Sequence, residues 1–542
     1  MLKKNQLIPL EIQSVTNEGN GVGRFEGMAV FVPGTAPGDR LTARVVKVLS
    51  SYCYGIVEEL LEPGPGRVEP ACPVCRRCGG CSLQHLSYPA ELAVKEGWVR
   101  DSLRRIGGLD APVRPILGSP LELHYRNKAQ YPIAKGKDGA FCGFYAPRSH
   151  TVIPAEGCLL QPAFFGEIAR AVCRYIDRSG EEPYDEASGK GLFRHLYLRW
   201  GEAAGEVMVC LVVNGERIPE PQSLVSSLLS VCPQISSILV NTNTKNTNVI
   251  LGPKTRVLFG ASAIRDLLCG VRVNISPLSF YQVNRRGAEL LYRQAAELAR
   301  LTPEDVLLDL YCGAGTIGLS MARQVREVIG VEVVESAVRD AEQNARENGV
   351  ENARFLCADA GQAAGRLREE GLLPTVVVLD PPRKGCDTAT LEAVAGMTPS
   401  RVVMVSCNPA TMARDAAVLS KKGYRLTAVQ PVDMFPRTAH VETVVLLSKL
   451  KVNHHIEIEL KMDELDLTSA ESKATYDEIK TYVLEKYGLK VSQLYIAQVK
   501  RKCGIIERKN YNVSKKENAK VPQCPPEKEA AIMDALKHFQ MI

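Results

Sequence analysis

Between residues 7 and 61 apolar and polar positions alternate in short runs broken by glycine. The runs are Ile8 to Val15, the stretch Gly19-Asn20-Gly21-Val22-Gly23, Met28 to Val32 and, beyond Pro33-Gly34 and Pro37-Gly38-Asp39, Leu41 to Leu49 and Tyr54 to Leu61. A period of two sets alternate side chains on one face of a strand, so the five runs predict a small barrel of the oligonucleotide-binding kind over residues 1–62. Pro63-Gly64-Pro65-Gly66 breaks the pattern and reads as a linker. An amphipathic helix follows from about Pro89 to Ile106, and residues 120–275 read as a second β-rich region with some helix. From Pro303 short, wholly apolar runs end in glycine turns and pass into helical periodicity, which predicts a doubly wound α/β unit reaching about Leu450. Beyond it, residues 451–542 are Lys-rich and nearly free of glycine. Two helices are predicted there, Ser469 to Tyr487 and Val491 to Lys502, joined across Gly488.

Composition changes this picture in three places. A length of 542 residues fits three or four domains at ~150 residues each. No run approaches the ~18 apolar residues of a membrane span, and Met1 to Leu10 is too polar for a secretory signal; the expectation is a cytoplasmic protein. Seventeen cysteines without an export signal then argue against a disulfide framework. Those in apolar segments, such as Cys210, Cys269 and Cys357, read as small buried hydrophobes. The net charge of +6 is compatible with a nucleic-acid partner. From Lys486 to Cys524 ten Lys or Arg face two Glu. That segment reads either as part of a helix-turn-helix module or as a solvated basic stretch.

Cys72-Pro73-Val74-Cys75-Arg76-Arg77-Cys78-Gly79-Gly80-Cys81 sets four thiols within ten residues. Thiolates this close repel, and a soft metal relieves that. Two C-x-x-C pairs two residues apart hold one zinc awkwardly, whereas an iron–sulfur cluster tolerates compact spacing plus one remote cysteine.

Val306 to Leu310, then Tyr311-Cys312-Gly313-Ala314-Gly315, is a strand entering a glycine turn, followed by a helix. The next strand ends in Glu332, nineteen positions after Gly313. Glycines let a ligand approach the backbone, and a carboxylate at the second strand's end accepts ribose hydroxyls. With no further glycine at dinucleotide spacing and Asp309 before the turn, S-adenosylmethionine is favoured over NAD. Val376 to Leu379 ends in Asp380-Pro381-Pro382-Arg383; the absence of an aromatic after the prolines argues against amine methylation. Val402 to Ser406 delivers Cys407 at a strand end, and Phe435 to Val441 leads to Glu442. Carbon-5 of uracil becomes nucleophilic only after a thiolate adds to carbon-6, and a base must then remove the carbon-5 proton. Cys407 and Glu442 are the candidate nucleophile and base.

Together these motifs, with Ser279-Phe280-Tyr281-Gln282-Val283-Asn284, His440-Val441-Glu442 and Glu156-Gly157-Cys158, resemble the bacterial uracil-5-methyltransferases of ribosomal RNA, of the RumA/RlmD type, over about residues 7–448. The resemblance implies an α/β fold: a class I Rossmann-like methyltransferase domain (276–450), an N-terminal TRAM β-barrel (1–62), a β-rich, iron–sulfur, RNA-binding central region (63–275) and a helical basic C-terminal extension (451–542). It further implies a 4Fe-4S cluster on Cys72, Cys78, Cys81 and Cys158, with Cys75 left over. Adenosylmethionine would contact Gln282, Tyr311, Glu332 and Asp380, and Cys407 and Glu442 would do the chemistry on a flipped-out uridine of 23S rRNA in a monomeric, membrane-independent enzyme. A tRNA uracil-5-methyltransferase and a non-catalytic rRNA-binding assembly factor are the alternatives; the Cys407–Glu442 pair speaks against the second.

Overall fold

A computed structural model describes residues 2–450, 476–503, 523–539 and 541–542 of the chain, which divides into two compact units, Met1–Lys451 and Val452–Ile542.

In the first unit, the five predicted N-terminal strands form a closed barrel in the order Leu7–Val15, Asn20–Phe25, Met28–Pro33, Tyr52–Glu62, Arg40–Val48. Alternate residues fill it: Ile8, Leu10, Ile12, Val30, Val32, Leu41, Ala43 and Val45 are all buried. At Gly23 a Cβ would lie 2.6 Å from Glu11 O and 2.7 Å from Leu10 Cγ, so glycine is required for the close approach. The Pro63–Gly66 segment is more than a linker. Gly64 N donates to Asp39 Oδ1 at 2.8 Å, and Arg67 closes a 2.6 Å ion pair with the fully buried Asp39, which fastens the segment to the barrel.

The helix predicted near Pro89 spans Tyr88–Ser102 and continues as one π-turn, Leu103–Gly107. Its buried face is not apolar: Glu91 and Lys95 are fully buried beside Trp98 and Val99. The central region is a seven-stranded sheet in the order Lys254–Gly260, Ile235–Thr242, Glu206–Val213, Phe193–Gly201, Lys128–Gly136, Gly139–Tyr145, Val152–Pro154. Helices Ala163–Ser179 and Pro221–Val231 cover one face through Phe165, Ile168, Val172, Leu224 and Leu228.

A third sheet runs Ala353–Cys357, Glu327–Glu332, Val306–Leu310, Val376–Leu379, Arg401–Ser406, Glu442–Lys449, Tyr424–Val432. The first five strands are parallel, and Glu442–Lys449 is antiparallel to both neighbours. Leu308 and Leu310 enter one core and Leu307 the other, so both faces are covered; this is why the strands read as unbroken apolar runs. Chain order reverses between Val306–Leu310 and Val376–Leu379. Ligands of open α/β sheets bind at such a switch point, at the carboxyl ends of the strands. Cys357, expected to be buried, is exposed, because its strand lies at the sheet edge.

Among the described residues of the second unit, the helices Tyr476–Tyr487, Gln493–Lys502 and Pro526–His538 pack through Ile479, Val483, Ile496, Val499, Ile532 and Leu536. The predicted first-helix residues 469–475 lie outside the described residues, and the third helix was not anticipated. Among the described residues no helix is long and apolar enough to cross a membrane.

Candidate active site

At the switch point the Val306–Leu310 strand leaves the sheet through Tyr311, Gly313 and Gly315, whose φ angles are 66°, 53° and 76°, before the helix Thr316–Met321. Left-handed backbone at a tyrosine is uncommon, and such strain concentrates at functional sites. Asp309, fully buried, accepts from Gly318 N at 2.9 Å through Oδ2, while its Oδ1 has no partner among the described residues. Burial pushes its carboxyl up to about 7; the Gly318 N–H opposes this, and Asp380 and Glu332 add to it. Glu332 reaches back from the neighbouring strand and accepts from Gly313 N at 3.1 Å and Val334 N at 3.0 Å.

Gln282, Tyr311 and Asp380, three of the four residues expected at the cofactor, line one cleft together with Gly313, Thr316 and Tyr292. Glu332 meets that cleft through Gly313. Asn127 Nδ2 holds the Gln282 carbonyl at 2.9 Å, so the central sheet positions this loop. The Tyr311 hydroxyl is directed to Thr390 and Cys386.

The reacting edge lies on the next strands. Ser406 pairs with Thr443 at the end of the antiparallel ladder; Cys407 follows it, Glu442 precedes Thr443, and the Glu442 carboxylate bears on the Cys407 thiol. Asn408 caps the helix Pro409–Lys421: its Oδ1 accepts from Ala410 N at 3.1 Å, and its Nδ2 donates to Arg383 O at 3.0 Å, which ties the Asp-Pro-Pro-Arg loop beside the cysteine. Burial pushes the Asp380 carboxyl up to about 7. Glu442 is pushed up to about 8 by burial, with Asp380 adding and Arg383 opposing. The Cys407 thiol rises to about 11 through burial and the carboxylates of Glu442 and Asp380, again against Arg383. The Arg383 guanidinium also donates to His440 Nε2 at 3.3 Å. Burial, with Arg383, Lys95 and Arg126, holds His440 down to about 4, so its ring is neutral at pH 7. The edge thus offers a thiol, two carboxyls poised near neutrality and one fixed cation, the set needed for nucleophilic addition followed by proton removal.

Sequence reading missed what holds this edge in place. Lys95 Nζ lies 2.7 Å from both Glu91 Oε1 and Asp433 Oδ1 and donates to Phe435 O at 3.1 Å. Arg437 N donates to Glu91 at 2.7 Å, its guanidinium pairs with Glu122, and its carbonyl accepts from Ser82 N at 3.0 Å. The cysteine loop and the Tyr88–Ser102 helix therefore clamp the segment leading to Glu442. The i,i+4 spacing of Glu91 and Lys95 gives no sign in the sequence that both are buried.

Cys72, Cys75, Cys78, Cys81 and Cys158 all line one cavity of about 260 Å³. Burial raises the Cys78, Cys81 and Cys158 thiols, Cys81 to about 12, and each feels at least one other member of the set. They do not converge: among the described residues no group of three or more His, Cys, Asp or Glu side chains is arranged to hold a metal ion, which departs from the expected ligand shell. Five soft donors around one enclosed space nevertheless fit a thiolate-held cluster.

Strand order, glycine turn and strand-end carboxylates define the class: an S-adenosylmethionine-dependent methyltransferase fold. The family described as tRNA (Uracil-5-)-methyltransferase matches residues 274–450, and the TRAM domain matches residues 2–57. An uncharacterized RNA methyltransferase of Halalkalibacterium halodurans is 44% identical over 447 residues, 82% of this chain and 98% of the relative. One from Caldanaerobacter subterraneus is 41% identical over 449 residues, 83% and 99% of the two chains. The crystal structure of Pyrococcus abyssi tRNA (uracil-54, C5)-methyltransferase with S-adenosyl-L-homocysteine is similar at a TM-score of 0.65 and 29% identity, covering 81% of this chain and all of that one. The chain belongs to the uracil-5 RNA methyltransferases.

Proposed function

We propose that the protein methylates carbon-5 of a uridine in 23S rRNA. The observation that carries this reading is the gathering of Cys407, Glu442, Asp380 and Arg383, whose charges all bear on the Cys407 thiol, with Asp380 also lining the Gln282–Tyr311 cleft. Adenosylmethionine, bound in that cleft with Glu332 on its ribose, supplies the methyl group. The Cys407 thiolate, favoured by the Arg383 charge, adds to carbon-6 of the flipped base. Carbon-5 then takes the methyl and S-adenosylhomocysteine leaves; Glu442 removes the carbon-5 proton, the carbon-5–carbon-6 double bond re-forms and the carbon–sulfur bond breaks to release the Cys407 thiolate.

In the same proposal residues 1–62 and 63–275 grip RNA, 276–450 catalyse, and 451–542 have no assigned part. The cluster of Phe31, Tyr52 and Tyr54 on the barrel supports this, its rings meeting edge-on or tilted with centroids 5.4–5.7 Å apart. So does a cleft of about 780 Å³ between barrel and cysteine loop that carries Arg67, Arg76, Ile56 and Leu60. We assign Cys72, Cys78, Cys81 and Cys158 to a 4Fe-4S cluster, which when bound ties the cysteine loop to the Cys158 turn. Iron and sulfide analysis of anaerobically purified protein tests it, and absence of both refutes it. A tRNA target is the second reading, favoured by the Pyrococcus abyssi enzyme's likeness over 81% of this chain. Tritiated adenosylmethionine offered with unmodified 23S rRNA and, separately, tRNA decides between them; label in neither refutes both.

A further inference from the structure

Towards one edge of the central sheet lies a cleft of about 530 Å³ that the methyl-transfer site does not use. Its floor is the later half of the Lys128–Gly136 strand beside the start of Phe193–Gly201. The Tyr145–Val152 turn forms one wall and the Pro183–Ala187 loop the other. Glu186 bridges the walls, accepting from the Tyr145 hydroxyl at 3.2 Å and from the His150 ring. Two aromatic groups face the space: the Tyr145–His150 ring pair, 5.1 Å between centroids, and Tyr184. The Arg194 guanidinium lies 4.4 Å from the Tyr184 ring and is anchored by the carbonyls of Asn243 and Lys245, each at 2.8 Å.

Arg194 and His195 are 4% and 8% exposed, and Arg194 Nε and His195 Nδ1 have no hydrogen-bond partner among the described residues. Buried polar atoms in native folds are satisfied by something, and here two neighbouring residues of one cleft wall leave theirs open. Burial together with Arg194 keeps His195 near 4, so at pH 7 the ring is neutral and offers one N–H and one lone pair, the complement of a base edge. The rim carries Asp185 and Glu186, which disfavour a phosphate and leave a neutral flat ring as the matching guest. The volume is in the range of small-ligand sites, ~300–1,000 Å³.

We propose that this cleft binds one unstacked nucleobase of the substrate RNA, separate from the base that is methylated, with Tyr184 as the stacking face and His195 at the base edge. This rests on the reading of RNA as the substrate. Covalent continuity places the two sites within reach of one RNA segment. Asn127, which holds the Gln282 carbonyl, directly precedes the strand that reaches the cleft at Pro132, about 17 Å away at ~3.3 Å per residue. An arginine-backed aromatic ring is a stacking platform that accepts any base, so the cleft contributes affinity and register more than base identity.

The test compares full-length wild type with Tyr184→Ala, Tyr184→Phe and His150→Ala. It reads the Kd for unmodified 23S rRNA by filter binding, and kcat and KM for methyl transfer with tritiated adenosylmethionine. Tyr184→Ala is expected to raise Kd and KM about tenfold, the scale of one lost base stack, with kcat at saturating RNA within about twofold of wild type. Tyr184→Phe keeps the ring and wild-type affinity. His150, on the exposed rim, serves where Tyr184→Ala fails to fold, and its removal weakens binding by about threefold on the same grounds. Unchanged affinity in the alanine variants overturns the proposal, as does a wild-type protein that binds no RNA or an equal loss in Tyr184→Phe. A wild-type protein that binds 23S rRNA without methylating it refutes the 23S rRNA target alone and leaves the Kd comparison standing.

Discussion

Replacing Lys95 by Met removes the one ammonium held between Glu91 and Asp433. All three side chains are fully buried, and both N···O distances are 2.7 Å. At an effective dielectric of ~20 each pair attracts by about 6 kcal/mol, most of which offsets desolvation; deleting one member of such a group destabilises by ~3–5 kcal/mol, because a buried charge is left behind. That is a large share of the ~5–15 kcal/mol that holds a domain folded. The Glu91 carboxyl is raised by burial, with Lys95 opposing, so the substitution raises it further. A carboxyl raised in the fold stabilises below its unfolded range and loses that contribution as pH climbs through its folded value, so the defect grows as pH rises above the ordinary carboxylate range. Trp98, one turn along the same helix with its indole N–H 2.6 Å from Val15 O, reports the transition by fluorescence in urea. The double variant Lys95→Met/Asp433→Leu is expected to recover part of the loss. A single variant within about 1 kcal/mol of wild type at pH 7, or a defect that shrinks as pH rises, refutes the reasoning.

Three further outcomes follow from the same geometry. Glu442→Gln removes a like charge from beside the Cys407 thiol, so the pH midpoint of Cys407 alkylation by iodoacetamide moves down, while turnover falls at least ~100-fold with the base gone. Because Glu442, at about 8, must be ionised to take a proton, kcat/KM rises with pH from 6 to beyond 8; a flat profile there contradicts its role. Gly318→Ala brings a Cβ to 2.9 Å from both Asp309 Oδ2 and Val328 Cγ1, and calorimetry should find adenosylmethionine binding weakened about tenfold, the effect of ~1–3 kcal/mol of overpacking.

The reacting edge was legible in the sequence because each of its groups marks a strand boundary: Asp380 ends one apolar run, Cys407 ends the next and Glu442 begins the last. Parallel strands buried on both faces give an unmistakable local pattern, and the chemistry collects at their ends. The clamp behind that edge was not legible. Lys95 and Asp433 are 338 positions apart, and no local periodicity reports that a helix will bury a lysine to meet them. Cys357 looked like core because it closes an apolar run, yet edge position, a property of sheet order, exposes it. The cysteine loop announced a shared site, and all five thiols do line one cavity, Cys158 joining from 77 positions beyond Cys81.

The central claim is a covalent bond between Cys407 and carbon-6 of a uracil, and trapping that bond tests it most directly. Glu442→Gln protein, incubated with adenosylmethionine and unmodified 23S rRNA, is denatured and digested, and the RNA-bound peptide is sequenced by mass spectrometry. The account predicts a methylated uridine attached to Cys407, accumulating because the carbon-5 proton cannot leave, and no adduct in Cys407→Ala. An adduct at another residue, or methylated product released by the Cys407→Ala protein, contradicts it.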